Sequence, residues 1–221
     1  MAKNGMDIYN KYDADIYTRL KDGKGYIKDY DIKGSLVYEG EYLNGVRNGK
    51  GKEYSDNKSL IYEGEFLNGK RHGKGKEYKF NKLKFEGDYF NNYKIKGKEY
   101  VEGKLEYEGD YVFNKKWNGI GYDKNGNLLY ELKEGNGNVV EDNGNDRLIF
   151  KGEYINGKRS KKGKEYCSYY KIKYEGDYSN GKRNGKGKEY DYDGEIIFEG
   201  EYLNGIRWNG RGKDLFAIII N

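Results

Sequence analysis

Two side chains in the sequence are of the types that most often serve as nucleophile and general base. The chain of 221 residues has one histidine, His72, and one cysteine, Cys167. A nucleophile is activated by a base within hydrogen-bonding distance, and these two residues lie in segments far apart in the sequence. His72 stands where similar segments have Asn48 or Asn184, which predicts an exposed turn residue, and Cys167 follows a predicted strand, which favours a structural role. We therefore predict no catalytic residues and no enzymatic activity.

The motifs that could hold a phosphate or a metal ion are incomplete. Gly73-Lys74-Gly75 and similar glycine pairs lack the third spaced glycine and the following helix of a phosphate-binding loop. The segment from Glu189 to Gly194 resembles the start of a calcium loop, but its twelfth position is Gly200, where a bidentate glutamate is required. An inter-hairpin turn is favoured there. We predict neither a cofactor nor a bound metal ion.

The composition predicts a thin β structure with an aromatic core. The chain has 26 Tyr, 8 Phe, no Pro, 36% charged residues and a mean hydropathy of −1.16. Such low hydropathy leaves little aliphatic material for a globular core, but a tyrosine buries its ring while its hydroxyl stays in water. The 42 basic and 37 acidic residues nearly balance, which argues against a nucleic-acid partner.

The expected location follows from targeting signals and cysteine usage. Residues Met1 to Tyr12 contain no apolar stretch of the secretory type. The longest apolar run, Leu215 to Ile220, is far shorter than the ~20 residues of a membrane helix. A single cysteine forms no intrachain disulfide, as expected in a reducing compartment. We expect a cytoplasmic protein, with association to membranes or cytoskeleton left open.

A repeat with a period of 22 to 24 residues runs along the chain. Tyr-Glu-Gly-Glu-Tyr-Leu-Asn-Gly at 38–45 is followed by Gly-Lys-Gly-Lys-Glu-Tyr at 49–54, and both segments return from Tyr62 and from Gly73. The key glycines of the seven clear units are Gly40, Gly64, Gly87, Gly109, Gly152, Gly176 and Gly200. Degenerate units at Tyr17 to Leu20 and at Tyr130 to Leu132 raise the predicted number to nine. A fixed period of this length indicates a repeat architecture.

The repeats also follow a longer order. Residues Leu20 to Tyr78 match Leu132 to Tyr190 at a constant offset of 112, and Trp-Asn-Gly-x-Gly occurs at 117–121 and again at 208–212. We predict a single array over residues 1–221, made of two duplicated blocks at roughly 17–121 and 129–212 and an apolar tail at 213–221.

Each unit is predicted to form one β-hairpin. Tyr38, Gly40 and Tyr42 alternate with glutamates at the period of a strand, and Asn44-Gly45 is a strong signal for a two-residue type I′ turn. The aromatic rings are expected to cover bare glycine backbone on the neighbouring strand. The register predicted from this turn pairs Tyr42 with Arg47, Gly40 with Gly49, Tyr38 with Gly51, Glu39 with Lys50, Glu63 with Lys74 and Glu175 with Lys186.

The unit Tyr-Glu-Gly-Glu-Tyr-Leu-Asn-Gly-Lys-Arg-x-Gly-x-Gly resembles the MORN repeat, and the resemblance covers nearly the whole chain. It implies an all-β fold: an elongated, single-layer, twisted antiparallel sheet of about nine consecutive hairpins with a groove. It also implies a protein-binding scaffold, often dimeric, near membranes or cytoskeleton, with lipid binding proposed for several members. Leu20 and Leu132 in place of the key glycine, and Lys151 in place of the usual acidic residue, depart from the pattern. The units that contain them are expected to curve or bind differently.

The first candidate binding surface is the aromatic stripe. Most of its rings are expected to be the core itself. One side of a ring layer in a single sheet nevertheless has no covering layer, which predicts an apolar groove for an extended peptide or a helix. The stripe consists of Tyr38, Tyr42, Tyr62, Phe66, Phe85, Tyr89, Tyr107, Tyr111, Tyr154, Tyr174, Tyr178 and Tyr202.

Two further surfaces are candidates. Basic residues recur on one arm of each hairpin, where they could attract an acidic membrane surface or be neutralised by acidic residues on neighbouring strands. These residues are Lys70, Arg71, Lys74, Lys158, Arg159, Lys182, Arg183 and Lys186. The end of the chain is predicted to cap the last strand or to pair with a second chain through Trp208, Leu215, Phe216, Ile218 and Ile220.

The leading functional hypothesis is a scaffold that binds protein partners and forms a homodimer, through the aromatic groove or the array ends. The alternative is a peripheral membrane adaptor that binds acidic phospholipids through the basic arms. A glycan- or choline-binding repeat predicts Trp-rich units and a secretion signal, which the sequence lacks. An enzyme with an unrecognised site would require clustered titratable groups, which the single histidine and the regular repeats argue against.

Overall fold

A computed structural model describes residues 23–142, 148–167 and 171–213, and these residues fold into seventeen β-strands without a helix. The degenerate unit at Tyr17 to Leu20 and the apolar tail from Leu215 to Ile220 lie outside the described residues. The strands are β1 (Lys24–Tyr30), β2 (Leu36–Leu43), β3 (Val46–Tyr54), β4 (Leu60–Leu67), β5 (Lys70–Lys79), β6 (Lys82–Phe90), β7 (Tyr93–Val101), β8 (Lys104–Val112), β9 (Lys115–Tyr122), β10 (Leu128–Leu132), β11 (Gly137–Asp142), β12 (Leu148–Ile155), β13 (Lys158–Tyr166), β14 (Ile172–Ser179), β15 (Lys182–Tyr190), β16 (Ile196–Leu203) and β17 (Ile206–Gly212).

The chain divides into two compact units, residues 1–93 and 94–221. In the first unit, strands β1 to β6 follow one another in sequence order. In the second, β10 is the last strand of one sheet, and β11 to β17 form a separate sheet of seven strands. Consecutive strands pair antiparallel. The predicted all-β architecture of consecutive hairpins is confirmed.

The hairpin turns have the predicted two-residue geometry. Asn44 and Gly45 have φ values of 50° and 78°, and Asn204 and Gly205 have 52° and 94°. A type I′ turn requires positive φ at both central residues, which Asn and Gly adopt with the least strain. The prediction of type I′ turns from the Asn-Gly pairs is confirmed.

A β-bulge shortly after each turn changes the predicted register. Tyr42 faces Arg47 as predicted, but Gly40 then faces Gly51 because the bulge at Gly49, with φ of 103°, inserts extra residues into β3. The remaining predicted pairs are therefore wrong: Gly40 with Gly49, Tyr38 with Gly51, Glu39 with Lys50, Glu63 with Lys74 and Glu175 with Lys186. The observed pairs are Gly40 with Gly51, Tyr38 with Glu53, Glu39 with Lys52, Glu63 with Lys76 and Glu175 with Lys188.

The bulge brings bare glycine backbone from two strands together beneath one aromatic ring. The Tyr62 ring lies over Gly75, where an added Cβ would come within 2.6 Å of Cε2 and Cζ. Gly64 and Gly75 approach so closely that a Cβ on Gly64 would lie 2.6 Å from the Cα of Gly75. Glycine is required at both positions because any side chain would displace the ring or separate the strands. The predicted covering of glycine by aromatic rings is confirmed.

The sheets separate at the degenerate unit, where the prediction was one continuous sheet. Leu132 at the end of β10 faces Gly119, and Val139 in β11 faces Gly152, so both replace a glycine of the repeat. Both side chains are buried. Elsewhere two glycines meet on adjacent strands, such as Gly163 and Gly176. These two strands are the ones at which the sheets end, and the isolated bridge of Lys133 with Asn136 connects them.

Candidate functional site

The aromatic stripe is the core of the array. Its rings form a zigzag of edge-to-face contacts, in which Tyr62 lies 5.3 Å from both Phe66 and Tyr89 between ring centroids. In the second unit, Tyr174 lies 5.5 Å from Tyr178 and 5.1 Å from Tyr202. Contacts of this geometry contribute ~0.5–1.5 kcal/mol each beyond area burial.

Ten of the twelve rings predicted to line a groove are buried, and Tyr42 and Tyr154 are half-buried. The buried ten are Tyr38, Tyr62, Phe66, Phe85, Tyr89, Tyr107, Tyr111, Tyr174, Tyr178 and Tyr202. The described residues therefore expose no open groove along these rings, and a partner would meet the layer that covers them.

That layer consists of arginines, of which Arg71, Arg159 and Arg183 are among the residues predicted as possible contacts for an acidic membrane. The guanidinium carbon of Arg71 lies 4.2 Å from the centroid of the Tyr62 ring, and that of Arg183 lies 4.1 Å from the Tyr174 centroid. Arg47, Arg159 and Arg207 cover the rings of Tyr38, Phe150 and Phe198 in the same way. A cation over an aromatic face is stabilising, and the planar guanidinium also excludes water from the ring.

Four of the five covering arginines, all but Arg207, bridge two carboxylates. Arg71 contacts Glu53 at 2.6 Å and Glu77 at 3.0 Å. In the second unit Arg183 contacts Glu165 at 2.6 Å and also pairs with Glu189. Because Glu53, Glu165 and Glu189 each lie between two arginines, the contacts continue from hairpin to hairpin. We name the arginines and glutamates of this layer the arginine ladder: Arg47, Glu53, Arg71 and Glu77 in the first unit, and Glu141, Arg159, Glu165, Arg183, Glu189 and Arg207 in the second.

Contacts within the ladder shift the pKa of Glu165 and of the tyrosine bonded to it, Tyr178. Burial opposes ionisation of Glu165, but hydrogen bonds from Arg183 and Tyr178 outweigh it and hold the pKa of this carboxyl below its ordinary value. The Tyr178 hydroxyl donates to Glu165 Oε1 at 2.7 Å, and burial with this bond raises the pKa of Tyr178. Near neutral pH the Glu165 carboxyl is therefore ionised and the Tyr178 hydroxyl is a neutral donor, which suits a structural role.

The opposite side of the sheet, which we name the lysine face, carries alternating lysines and acidic residues. In the second unit Lys164 pairs with Glu175 at 2.9 Å and Lys188 pairs with Glu199 at 3.0 Å. Tyr190 donates a hydrogen bond to Glu175 at 2.6 Å. This bond and the one from Lys164 lower the pKa of Glu175, while burial and the same bond raise the pKa of Tyr190 to about 12.

A groove of about 830 Å³ lies on the lysine face of the second unit. Lys151 departs from the alternation there, because it faces Lys164 where Glu39 faces Lys52 in the first unit. Like charges directly opposite each other are destabilising, and an anion between them would relieve the repulsion. The groove is lined by five lysines and three glutamates: Lys151, Lys162, Lys164, Lys186, Lys188, Glu175, Glu199 and Glu201.

The predicted basic arms do not form one surface. Successive strand residues point to opposite sides of a sheet, so Arg71, Arg159 and Arg183 belong to the arginine ladder. The lysines of the prediction are distributed differently. Lys74 pairs with Asp88 at 2.7 Å. Lys70, Lys182 and Lys186 are exposed, and Lys158 is half-buried. The alternative stated from the sequence was neutralisation by acidic residues. The three arginines and Lys74 are paired with acidic residues in this way.

Apolar side chains recur beside the two-residue turns, a pattern that the sequence reasoning missed. Successive turns lie at the same edge, because Gly69 donates a hydrogen bond to the Arg47 carbonyl at 2.8 Å, and Asn92 donates to the Arg71 carbonyl at 2.9 Å. The sequence signal is an aliphatic or aromatic residue in or immediately beside most of these turns; the turns at 134–135 and 180–181 have none. We name the exposed members the turn-edge row: Val46, Leu67, Phe90 and Tyr93 in the first unit, and Val112, Phe113, Leu203 and Ile206 in the second.

His72 and Cys167 lie in surroundings that suit structural roles. His72 is a half-buried residue of β5 and not the predicted exposed turn residue. Its ring packs against Phe90 at 5.2 Å between centroids. The Cys167 amide donates to the Lys171 carbonyl at 2.9 Å, the contact that Asp191 makes with Glu195 in the corresponding loop at 3.0 Å.

The acidic segment beginning at Glu189 contains an inter-hairpin turn, as predicted. Asp191 Oδ1 accepts hydrogen bonds from the amides of Asp193 at 3.0 Å and Glu195 at 2.9 Å. Over residues 23–142, 148–167 and 171–213, no cluster of three or more histidine, cysteine or acidic side chains is placed to hold a metal ion. The helix-free described part of the chain also offers no helical segment able to cross a bilayer.

The two tryptophans occupy equivalent positions with different surroundings. Trp117 is half-buried against Gly135 in the turn between β10 and β11, where a Cβ on Gly135 would lie 2.8 Å from Cζ3 of the indole. Trp208 in β17 is 70% exposed. The remaining residues predicted to cap or dimerise, Leu215, Phe216, Ile218 and Ile220, lie outside the described residues.

Comparison with known families agrees with the geometry. The MORN repeat family model matches residues 38–59, 62–82 and 174–196. No curated protein matches the chain significantly. MORN repeats are non-catalytic modules that interact with proteins or membranes. The chain therefore contains MORN repeats: three are matched, and they lie within an antiparallel array of hairpins.

Proposed function

We propose that the protein is a non-enzymatic scaffold that binds protein partners along the turn-edge row and at the ends of the array. The observation that supports it is the exposure of apolar side chains beside the turns of several hairpins at one edge. Single exposed apolar residues are common on protein surfaces, but a row along one edge is typical of an interaction surface. The buried aromatic stripe takes part by fixing the spacing of the hairpins. Self-association at the array ends is part of the same proposal.

The surroundings of the row favour a protein partner. In the first unit Leu67 and Phe90 are 43% and 55% exposed, and Phe90 is supported from below by the His72 ring. Charged residues of the lysine face adjoin the row, which gives an apolar strip with a polar border. Interfaces between proteins commonly combine an apolar centre with such a rim.

The test is affinity purification of the tagged chain from its source cell, with a row variant and a control compared side by side. Leu67→Asp with Phe90→Asp places two charges in the row, and we expect specific partners to be lost. The control is Phe80→Asp, because Phe80 is 82% exposed in the turn between β5 and β6, outside the row. An identical set of partners for all three chains would contradict the proposal.

A second candidate function is binding of acidic phospholipids through the groove of the lysine face. It is favoured by the opposed pair Lys151 and Lys164 and by the excess of lysines in the groove lining. Each lysine close to an anionic membrane contributes ~1 kcal/mol, which salt weakens.

This candidate is tested by co-sedimentation with vesicles of phosphatidylserine and phosphatidylcholine over a salt series. Lys151→Glu restores the alternation seen at Glu39 and is expected to weaken vesicle binding at least severalfold. Lys50→Glu, on the lysine face of the first unit, is the matched control. Absence of salt-sensitive binding by the wild-type chain would exclude this function.

A further inference from the structure

The end of the first repeat block shows how a following turn docks on a Trp-Asn-Gly-x-Gly segment. The amide of Gly135 donates a hydrogen bond to the Trp117 carbonyl at 2.8 Å. The amide of Glu134 donates to Asn118 Oδ1 at 2.7 Å. The Trp117 indole lies flat against Gly135, where no Cβ would fit. Through these contacts the turn at the start of the second block binds the last segment of the first block.

The second Trp-Asn-Gly-x-Gly segment offers the same docking surface without a described occupant. It is formed by residues 208–212 of β17, and all seven residues of this strand are exposed. Within the described ranges, β17 is the last strand of its sheet and no strand pairs with its outer edge. Trp208 corresponds to Trp117, and Asn209 corresponds to Asn118. The indole, the backbone carbonyl and the amide oxygen are therefore presented together once more.

The turn that fits this surface occurs at the other end of the described chain. Gly23 corresponds to Gly135 at the offset of 112 that relates the two blocks. The two glycines have φ values of 75° and 72°. Each uses its carbonyl to receive the next hairpin: Gly23 accepts the Asn44 amide at 2.7 Å and Gly135 accepts the Gly157 amide at 2.8 Å. The strands that follow have matching registers, because Gly25 faces Tyr42 and Gly137 faces Tyr154.

We propose that the protein associates head to tail, with the Trp208 end of one copy receiving the Gly23 turn of a second copy. The contact would repeat between chains the one that Trp117 and Gly135 make within a chain. This inference deepens the proposed scaffold function by naming the partner at the array end as the same protein. Because the two surfaces of the contact differ, the association is heterologous and produces a ring or an open series, whereas an isologous contact stops at a dimer.

Sedimentation velocity of the whole chain over a wide concentration range tests this association. The wild type is expected to form species larger than a monomer, and Trp208→Ala is expected to weaken the association about tenfold or more, since a buried interface tryptophan often dominates binding. Gly23→Asn is expected to weaken it similarly, because Asn tolerates positive φ while its side chain occupies the space of the indole. Tyr192→Ala is the control, because Tyr192 is 76% exposed in a loop that the contact does not use. Unfolding temperatures equal to that of the wild type establish that each variant is folded.

A mixing experiment distinguishes head-to-tail contact from an isologous contact, in which both copies use the same surface. A Trp208→Ala copy keeps an intact Gly23 turn, and a Gly23→Asn copy keeps an intact Trp208 end. Head-to-tail contact therefore predicts that the two variants, each monomeric alone, form a heterodimer that grows no further. A monomeric wild type, as expected if residues 214–221 cover β17, would overturn the inference, and so would variants that fail to complement each other. Neither result depends on the partners captured by the turn-edge row, so failure here leaves the proposal of partner binding along that row standing.

Discussion

At the residue scale, the positive-φ position of the bulge is where the repeat is least uniform. Gly49, Gly73 and Gly185 occupy it with φ between 61° and 103°, but Lys161 occupies it in the unit between β12 and β13 with φ of 51°. A residue with a Cβ costs ~1–2 kcal/mol in the left-handed region. The Lys161 side chain offsets little of this strain. Its ion pair with Glu153 is exposed, at 61% for the lysine and 37% for the glutamate side chain, and exposed ion pairs contribute little to stability.

We predict that Lys161→Gly stabilises the protein by about 0.5–1 kcal/mol, since relief of strain exceeds the added entropy of glycine in the unfolded chain. The reverse change, Gly185→Ala, is expected to destabilise it by about 1–2 kcal/mol, because its Cβ would also lie 3.0 Å from the Cβ of Asp177. Urea unfolding followed by tyrosine fluorescence measures both. A destabilised Lys161→Gly chain would show that the Glu153 ion pair outweighs backbone strain.

At the element scale, the arginine ladder connects neighbouring hairpins and makes their stability depend on pH. The folded pKa of Glu165 is lowered, because hydrogen bonds from Arg183 and Tyr178 outweigh the opposing effect of burial. A lowered folded pKa contributes stability above the ordinary value of ~4.3, and this stability is lost as pH falls through the folded value. The contribution of Glu165 to the ladder is therefore lost on the acid side.

We predict that Glu165→Gln lowers stability near neutral pH by about 2–3 kcal/mol, because it leaves Arg183 with one carboxylate and removes a charged acceptor. The difference from wild type should shrink as pH falls through the lowered folded pKa of Glu165, because the wild-type carboxyl then becomes protonated as well. Thermal unfolding measured across this range gives the two curves, with the exposed Glu201→Gln as control. Parallel curves for wild type and Glu165→Gln would show that this carboxyl does not carry the pH dependence.

The secondary-structure elements could be predicted from the sequence where a residue type or pattern favours a single local conformation. Asn44-Gly45 specifies its turn by φ alone, and the alternation of Tyr38, Gly40 and Tyr42 assigns a face to each side chain. The bulge at Gly49 was missed because a glycine in a strand is equally consistent with regular pairing beneath a ring. The arginine layer was within reach of the sequence: Tyr42 faces Arg47 in the predicted register, so this arginine had to share the aromatic face.

At the scale of the whole molecule, each hairpin is stabilised mainly by the hairpins beside it. Rings, glycines and ladder residues contact the preceding and following strands, such as Tyr62 with Phe66 and Tyr89, or Arg183 with Glu165 and Glu189. The stability of such an array is approximately a sum of repeat terms and nearest-neighbour terms. The break between β10 and β11 was not predictable in position from hydropathy, because Leu132 and Val139 look like ordinary strand residues. Both replace glycines of the repeat on the two strands at which the sheets end.

The nearest-neighbour character predicts that damage to one hairpin stays local. Tyr62→Ala removes a fully buried ring from the first unit, at a cost of about 3–5 kcal/mol for a large aromatic side chain. Amide hydrogen exchange followed by mass spectrometry should show loss of protection in β3 to β6 and unchanged protection in β14 to β16. Tyr174→Ala, the corresponding change in the second unit, should produce the opposite pattern. If either variant instead lost protection uniformly over both units, the two units would unfold as one cooperative body. The hairpins could then not be described as independent binding positions of a scaffold.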